Sequence, residues 1–270
     1  MNETRLVELT AIALEGGVAA SLAIMEVYQQ PFETVSKTDG SPVTIADLTS
    51  NEILLSFLEP TGIPIISEES IHENYTSRKD WDYCWCIDPL DGTKEFIKKN
   101  DEFAVCIALI HQQKPVLGFI FSPVEKKVLM GGKNIPPAIS AFDTITLPEQ
   151  WQFIETSTSF NHPLVVTGSR SHQAQQETLF QQALREKHPD MHYLKKGSAL
   201  KFFDLALGSV HLYIRMAPTM EWDIAAGQAI LEALNGEILH AENNTPLTYN
   251  KSDLFNPFFI AKTAAYKLIE

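Results

Sequence analysis

Cysteine is scarce in this chain: Cys84, Cys86 and Cys106 are the only three in 270 residues. An odd number cannot close into a disulfide framework. All three sit inside apolar runs and no second Cys pair completes a metal site, so they read as reduced, buried thiols of a cytoplasmic protein. Positive charge is short as well, with 21 Lys and Arg against 34 Asp and Glu and a formal charge of -13. That balance argues against a nucleic-acid polymer as partner, because such binding rests on neutralising phosphates with basic side chains. An anionic ligand would need positive charge supplied locally, and metal ions held by the surplus acids would supply it. No signal peptide is read in the opening segment either. The opening MNETRLVELTAIALEGG is amphipathic and has neither a basic start nor an unbroken apolar core. No stretch reads as long enough to span a bilayer, which leaves peripheral association with the inner membrane as the one open membrane role. Oligomeric state is not legible.

What is present is the pattern of a layered α/β protein. Leu6, Leu9, Ile12, Ala13, Ala20, Ile24 and Val27 form a helical stripe that ends near Tyr28. SKTDGSPVT then reads as a hairpin or loop, and Leu48, Leu55 and Leu58 continue at helical spacing until Pro60. IPIIS, YCWCI, FAVCIALI and PVLGFIFSP read as strands, with TKEFIKK as a helix between the second and third. Residues 131 to 160 show little periodicity, so the boundary between an N-terminal half (1–150) and a C-terminal half (151–270) is expected there. The second half reads as strand PLVVTGS, a helix from about 173 to 187, helix LKFFDLAL closed by Gly208, strand VHLYIRM, and a long helix DIAAGQAILEAL stopped by Asn235 and Gly236. Carboxylates cluster at strand ends, where α/β folds place ligands.

The most informative stretch is CWCIDPLDGTKEF, residues 84–96. Pro89 biases Asp88 toward an extended conformation, so the chain leaves the strand sharply and Asp91 can swing back beside Asp88. The Leu90 carbonyl between them is a third oxygen for a hard cation. Gly92 and Thr93 open a helix whose free N–H groups suit a phosphate. A turn followed by an N-cap explains these six residues equally well. ISEES adds Glu68 from another strand end, with Glu69 facing solvent, and EWDIAAG adds Asp223 at a helix start, where it could also be only an N-cap. Asp47 fits a capping box with Thr44; a hydrogen bond to Thr93, orienting an attacking water, is compatible with that role.

Basic and polar residues follow in the second half. Ser169, Arg170 and His172 come after a buried strand and could touch a ligand. In KKGSALKF, Ser198 could cap a helix and Lys201 could face a second phosphate or a purine. Arg215 ends an apolar run, where it could pair with Glu221 or bind substrate.

ISEES, IDPLDGT and WDIAAG, in that order, resemble the lithium-sensitive, magnesium-dependent phosphatases of the inositol monophosphatase superfamily over nearly the whole chain. VSKTDGSPVTIAD, Lys94 in DPLDGTKEF, GSRSH and GSALKF resemble its bacterial CysQ branch, the 3'(2'),5'-bisphosphate nucleotidases. Inositol monophosphatases typically carry Thr-Asn where this chain has Lys94 and Glu95. The resemblance implies an αβαβα sandwich with the active site between the halves. It implies Glu68, Asp88 and the Leu90 carbonyl on one Mg²⁺, and Asp88, Asp91 and Asp223 on a second. A third, looser ion would share Glu68. Asp47 and Thr93 resemble the pair that activates the nucleophilic water. Substrate would meet Glu68, Leu90, Asp91, Gly92, Thr93 and Asp223 at its reacting phosphate, with the adenosine end toward His172, Ser198, Lys201 and Arg215. The acid Glu221 is a departure that could reposition Arg215.

The implied activity is hydrolysis of adenosine 3',5'-bisphosphate, and of its sulfated analogue, in sulfur assimilation. The alternatives are an inositol-1-monophosphatase of the same superfamily or a non-catalytic metal- and phosphate-binding module, against which the full acid set argues. Haloacid-dehalogenase phosphatases also carry an Asp-Gly-Thr turn. Their two aspartates are two residues apart near the chain start, whereas here the gap is three and lies far downstream.

Overall fold

A computed structural model describes residues 1–36, 40–160, 163–170 and 175–267. The opening apolar stripe forms α1 (Glu3–Tyr28), whose cap is Asn2, its side-chain oxygen accepting the Arg5 N–H at 2.9 Å. Strands β1 (Thr34–Ser36) and β2 (Pro42–Thr44) pair antiparallel as a hairpin. Helix α2 (Ile45–Leu58) follows and ends in a short turn over Glu59–Thr61 that contains Pro60. Next come β3 (Ile65–Ser67), α3 (Tyr75–Arg78), β4 (Tyr83–Asp91), α4 (Thr93–Ile97), β5 (Ala104–His111), β6 (Lys114–Ser122), β7 (Lys127–Gly132), β8 (Ile135–Ala141) and β9 (Gln152–Phe153). The remainder is β10 (Val165–Ser169), α5 (Gln175–Lys187), β11 (His192–Lys196), α6 (Lys201–Ala206), β12 (Leu212–Arg215), α7 (Glu221–Ala233), β13 (Glu237–His240), β14 (Phe259–Lys262) and α8 (Ala264–Lys267).

Strands β3 to β9 make one seven-stranded sheet in sequence order, parallel only between β3 and β4. The second sheet has the order β11-β10-β12-β14-β13, with β10 parallel to both neighbours. Side-chain alternation along β4 sorts the layers. Trp85 and Ile87 face α1 and α2 in one core, whereas Cys84 and Cys86 face α6 and α7 in another, which also receives Tyr213, Phe259 and Ala261 of the second sheet. The far face of that sheet, with Val166, Leu212 and Ile214, packs on Leu184 of α5 and Tyr266 of α8. The layers therefore run helix, sheet, helix, sheet, helix, the αβαβα sandwich. The three thiols are free and buried, and burial pushes the Cys84 thiol up to about 12.

Four features differ from the sequence reading. Residues 131 to 160, read as lacking periodicity, hold the end of β7, all of β8 and β9; Pro136, Pro137 and the glycines 131 and 132 obscure a strand pattern that sheet pairing enforces. The chain does not leave β4 at Asp88: the strand runs on to Asp91, and the break is a register shift between Asp88 and Asp91. Helix α4 ends at Ile97, because Lys99 and Asp101 adopt positive φ. Helix α1 is, by length and composition, long and apolar enough to cross a membrane; in the fold Leu6, Leu9, Ala13, Leu14, Ala20 and Ile24 are buried in the core shared with α2 and the first sheet.

Helix α7 lies against the first sheet at unusually close range. A Cβ on Gly118 of β6 would stand 2.2 Å from the Ala226 carbonyl oxygen. Gly118→Ala is therefore expected to lower unfolding free energy by about 2 to 3 kcal/mol in urea titrations, and to weaken activity by shifting the helix that carries Asp223. A loss below about 0.5 kcal/mol, the ordinary range for a surface change, would contradict this packing.

Candidate active site

One cleft of about 610 Å³ opens where the end of β4, the 197–201 segment and the start of α7 meet. Strand pairing delivers the acids to it. The Glu68 N–H donates to the Ile87 carbonyl at 3.3 Å, which carries the β3–β4 register one residue further and sets Glu68 beside Asp88. Asp88 is 2 % exposed, and its Oδ1 accepts the Leu90 N–H at 3.0 Å, an Asx turn that shapes the bulge. Ser50 Oγ holds the Pro89 carbonyl at 2.6 Å from the other side. Asp223 is the third residue of α7, not its N-cap; its Oδ2 accepts the Met220 N–H at 2.9 Å.

Carboxylate oxygens of Glu68, Asp88 and Asp223 all lie within 4.8 Å of one another. Asp91 stands beside this triad, with Oδ2 accepting the Ala199 N–H. Burial, then the neighbouring carboxylates, push Asp88 and Asp223 well above the usual carboxylate range. Burial also lifts Asp91, to about 6, against the pull of the Lys201 ammonium. Hard oxygen donors crowded with unbalanced like charge are the donor set of a Mg²⁺-type cation. Glu69, expected to face solvent, is half-buried, with its N–H 3.4 Å from Ser67 Oγ.

Gly92, in the left-handed region at φ 97°, turns the chain from β4 into α4. A Cβ there would meet the Glu102 carbonyl oxygen at 2.9 Å. The turn aims Thr93 at α2, where its hydroxyl donates to Asp47 Oδ1 at 2.8 Å; the Leu90 carbonyl is a weaker alternative at 3.4 Å. Asp47 Oδ2 meanwhile accepts the Thr44 N–H at 2.8 Å and the Thr44 hydroxyl at 2.7 Å. Asp47 thus forms the capping box and the Thr93 bond with different oxygens. Burial raises its pKa, opposed by the hydrogen bonds from Thr44 and Thr93.

At the far end of the cleft Lys201 is 4 % exposed. Its ammonium donates to the carbonyls of Lys196, at 3.1 Å, and Ser198, and lies 5.1 Å from the Tyr213 ring centre. Burial pulls its pKa down to about 8, while Asp91 works to raise it. Arg215, also buried, donates to the carbonyls of Ala217 at 3.1 Å and Pro218 at 2.9 Å. Ser198 is not the cap of α6, a position held by Leu200; it has φ 50° and its Oγ accepts the Leu200 N–H at 3.3 Å. Ser198, Lys201 and Arg215 all line the cleft. His172 lies outside the described residues.

Glu221 does not approach Arg215 in the way the sequence suggested. It accepts the backbone N–H groups of Asn250 (2.5 Å) and Lys251 (3.0 Å) and pairs with the Lys251 ammonium. Asn250 in turn exchanges two 2.7 Å hydrogen bonds with Arg78. This buried support behind the α7 N-terminus joins positions too far apart in sequence to leave a motif. Glu95, 5 % exposed, also lines the cleft and was read only as part of a helix.

Clustered acids beside a hydroxyl–carboxylate pair, with buried cations opposite, are the groups that metal-assisted hydrolysis of a phosphate ester would use. A family model described as the inositol monophosphatase family matches residues 5–267, and the chain belongs to that family. It is 39% identical over 243 residues to a 3'(2'),5'-bisphosphate nucleotidase CysQ of Salmonella typhimurium, covering 88% of this chain and 92% of the relative. The solved CysQ of Bacteroides thetaiotaomicron superposes with a TM-score of 0.85 at 34% identity, covering 95% of this chain and 97% of that one. An IMPase/NADP phosphatase solved with Mg²⁺ and phosphate shares the fold, with a TM-score of 0.71 at 18% identity over 91% of this chain and 87% of the other.

Raised carboxyl pKa values mean that the folded, metal-free protein binds more protons than the unfolded chain. Stability from these groups is full below the unfolded values near pH 4 and is lost as pH rises through the folded ones, about 6 for Asp91. Urea titrations in chelator should therefore show a decline across pH 4 to 6 that Asp88→Asn reduces. At pH 8, Mg²⁺ at about 100 times its dissociation constant should stabilise wild type by about 2.7 kcal/mol and leave Asp88→Asn nearly unchanged. Equal Mg²⁺ stabilisation of both proteins would contradict the cluster's role.

Proposed function

We propose that this chain is a Mg²⁺-dependent phosphomonoesterase that hydrolyses adenosine 3',5'-bisphosphate to AMP and phosphate, the substrate class named in its relatives, 3'(2'),5'-bisphosphate nucleotidases, and that the sulfated analogue is a second substrate. The observation that carries the reading is the layout of one cleft, with acids and the Thr93–Asp47 pair at one end and buried Lys201 and Arg215 at the other. Two or three Mg²⁺ would be held by Glu68, Asp88, Asp91, Asp223 and the Leu90 carbonyl. When bound they would polarise the 3'-phosphate, acidify a water and neutralise the departing oxygen.

The side chains supply the rest. Because the Thr93 hydroxyl donates its proton to Asp47, its lone pairs are left to accept a hydrogen bond from the attacking water and so orient it for in-line displacement. Asp47, whose basicity burial raises, is the final acceptor of that proton. Water attacks phosphorus, the bond to the ribose 3'-oxygen breaks, and that oxygen leaves with a proton from solvent. No phosphoenzyme is needed. Lys201 and Arg215 pair with the second phosphate, and Ser198 hydrogen-bonds the nucleoside side. A cytoplasmic location suits the three unpaired thiols, with a small nucleotide as partner and no nucleic-acid polymer.

Inositol 1-phosphate has neither a second phosphate nor a flat base. Since loss of a buried charged contact costs roughly 2 to 5 kcal/mol, kcat/KM should favour the nucleotide by at least about a hundredfold. Lys201→Ala should erode that preference while small phosphomonoesters are hydrolysed nearly as before. Equal efficiency on the two substrates, or a Lys201→Ala loss shared by both, would assign the chain to inositol phosphate chemistry instead.

A further inference from the structure

The 195–199 segment does two jobs at the cleft. Its Ala199 N–H holds Asp91, and its Lys196 and Ser198 carbonyls hold the Lys201 ammonium. No regular element fixes it beyond Lys196, where β11 ends, and Ser198 is in the left-handed region. What does hold it is a pair distant in sequence, Glu102 and Arg170. Glu102 Oε2 accepts the Gly197 N–H at 2.7 Å, and both its oxygens accept the Arg170 guanidinium at 2.6 Å each. Arg170 then donates to the Lys195 carbonyl at 3.0 Å. Glu102 is itself anchored, between its N–H bond to Asn100 Oδ1 at 3.1 Å and the fully buried Phe103. A Cβ on Gly197 would come within 2.9 Å of the Glu102 Cβ, so glycine is what admits the carboxylate so closely.

We infer that Glu102 and Arg170 are positioning residues, a bidentate clamp that fixes the 195–199 segment across the cleft and thereby sets both the Asp91 carboxylate and the Lys201 ammonium. Arg170, which the sequence offers as a ligand contact, has its guanidinium committed to this clamp. The planar fork of arginine matches a carboxylate in a way lysine cannot. Arg170 is exposed and Glu102 half-buried, so solvent screening limits what the pair adds to global stability and its effect should appear chiefly at the site. The inference rests on the nucleotidase reading only for the choice of substrate.

The test uses the full chain with Mg²⁺ and compares Glu102→Gln, Arg170→Ala, Arg170→Lys and the double variant Glu102→Gln/Arg170→Ala. Each of the first two should raise KM for adenosine 3',5'-bisphosphate about tenfold, as misplaced binding groups do, with kcat changed less. The double variant should be no worse than the weaker single, because the two residues act as one unit, and Arg170→Lys should recover part of the loss. Calorimetric titration with Mg²⁺ alone should show weaker binding in both single variants, since Asp91 loses its support, while the urea midpoint stays at the wild-type value. Additive losses, or a loss confined to Arg170→Ala, would make Arg170 a direct substrate contact and overturn the clamp. So would unchanged KM and Mg²⁺ affinity, or a fallen urea midpoint with uniform loss of activity. A wild type without preference for the bisphosphate would overturn the nucleotidase reading, and the Mg²⁺ titration would still decide the clamp.

Discussion

Mutual repulsion among buried and half-buried carboxylates is the constraint around which the site is organised. Glu68, Asp88 and Asp223 are drawn to within 4.8 Å of one another, with Asp91 alongside, although water would separate them and burial raises the cost of the charges on Asp88, Asp91 and Asp223. Left alone, such a cluster would open. Separate supports keep it closed: the β3–β4 register for Glu68, the Asx turn for Asp88, the Ala199 N–H for Asp91 and the Met220 N–H for Asp223. For the three aspartates the support occupies one carboxylate oxygen and leaves the other for a cation, whereas Glu68 is placed through its backbone N–H.

The layering follows from the same need. Asp223 can reach the acids of the first sheet only if α7 presses on that sheet, and Gly118 removes the side chain that would keep it away. Behind the start of α7, the Glu221 carboxylate ties the helix to Asn250 and Lys251, and Asn250 ties both to Arg78. The site is therefore assembled from residues of both sheets' neighbourhoods. Its two ends differ in chemistry because the first sheet contributes acids whereas β12 and α6 contribute Arg215 and Lys201.

Much of this was legible in the sequence where the signal is local. Strand alternation in YCWCI and FAVCIALI, the helical stripe of α1 and the acids of IDPLDGT each need only neighbours a few residues away. Asp47 was legible twice over, as cap and as partner of Thr93, and it satisfies both with separate oxygens. Illegible were β8, whose prolines mask a strand imposed by pairing, and the buried Arg78–Asn250–Glu221 network, whose members are scattered along the chain. The Glu102–Arg170 pair spans 68 residues and has no spacing rule to announce it. Glu221 misled for the same reason: proximity in sequence pointed to Arg215, while folding brought Lys251 to it.

The central claim is that these acids are held together against their repulsion in order to receive divalent cations. Anomalous diffraction from crystals soaked in Mn²⁺, an oxygen-preferring substitute for Mg²⁺, tests it most directly. The account predicts manganese peaks between Glu68, Asp88 and the Leu90 carbonyl and between Asp88, Asp91 and Asp223. A cleft without manganese there, in a protein that still releases phosphate from adenosine 3',5'-bisphosphate when divalent ions are chelated, would contradict it.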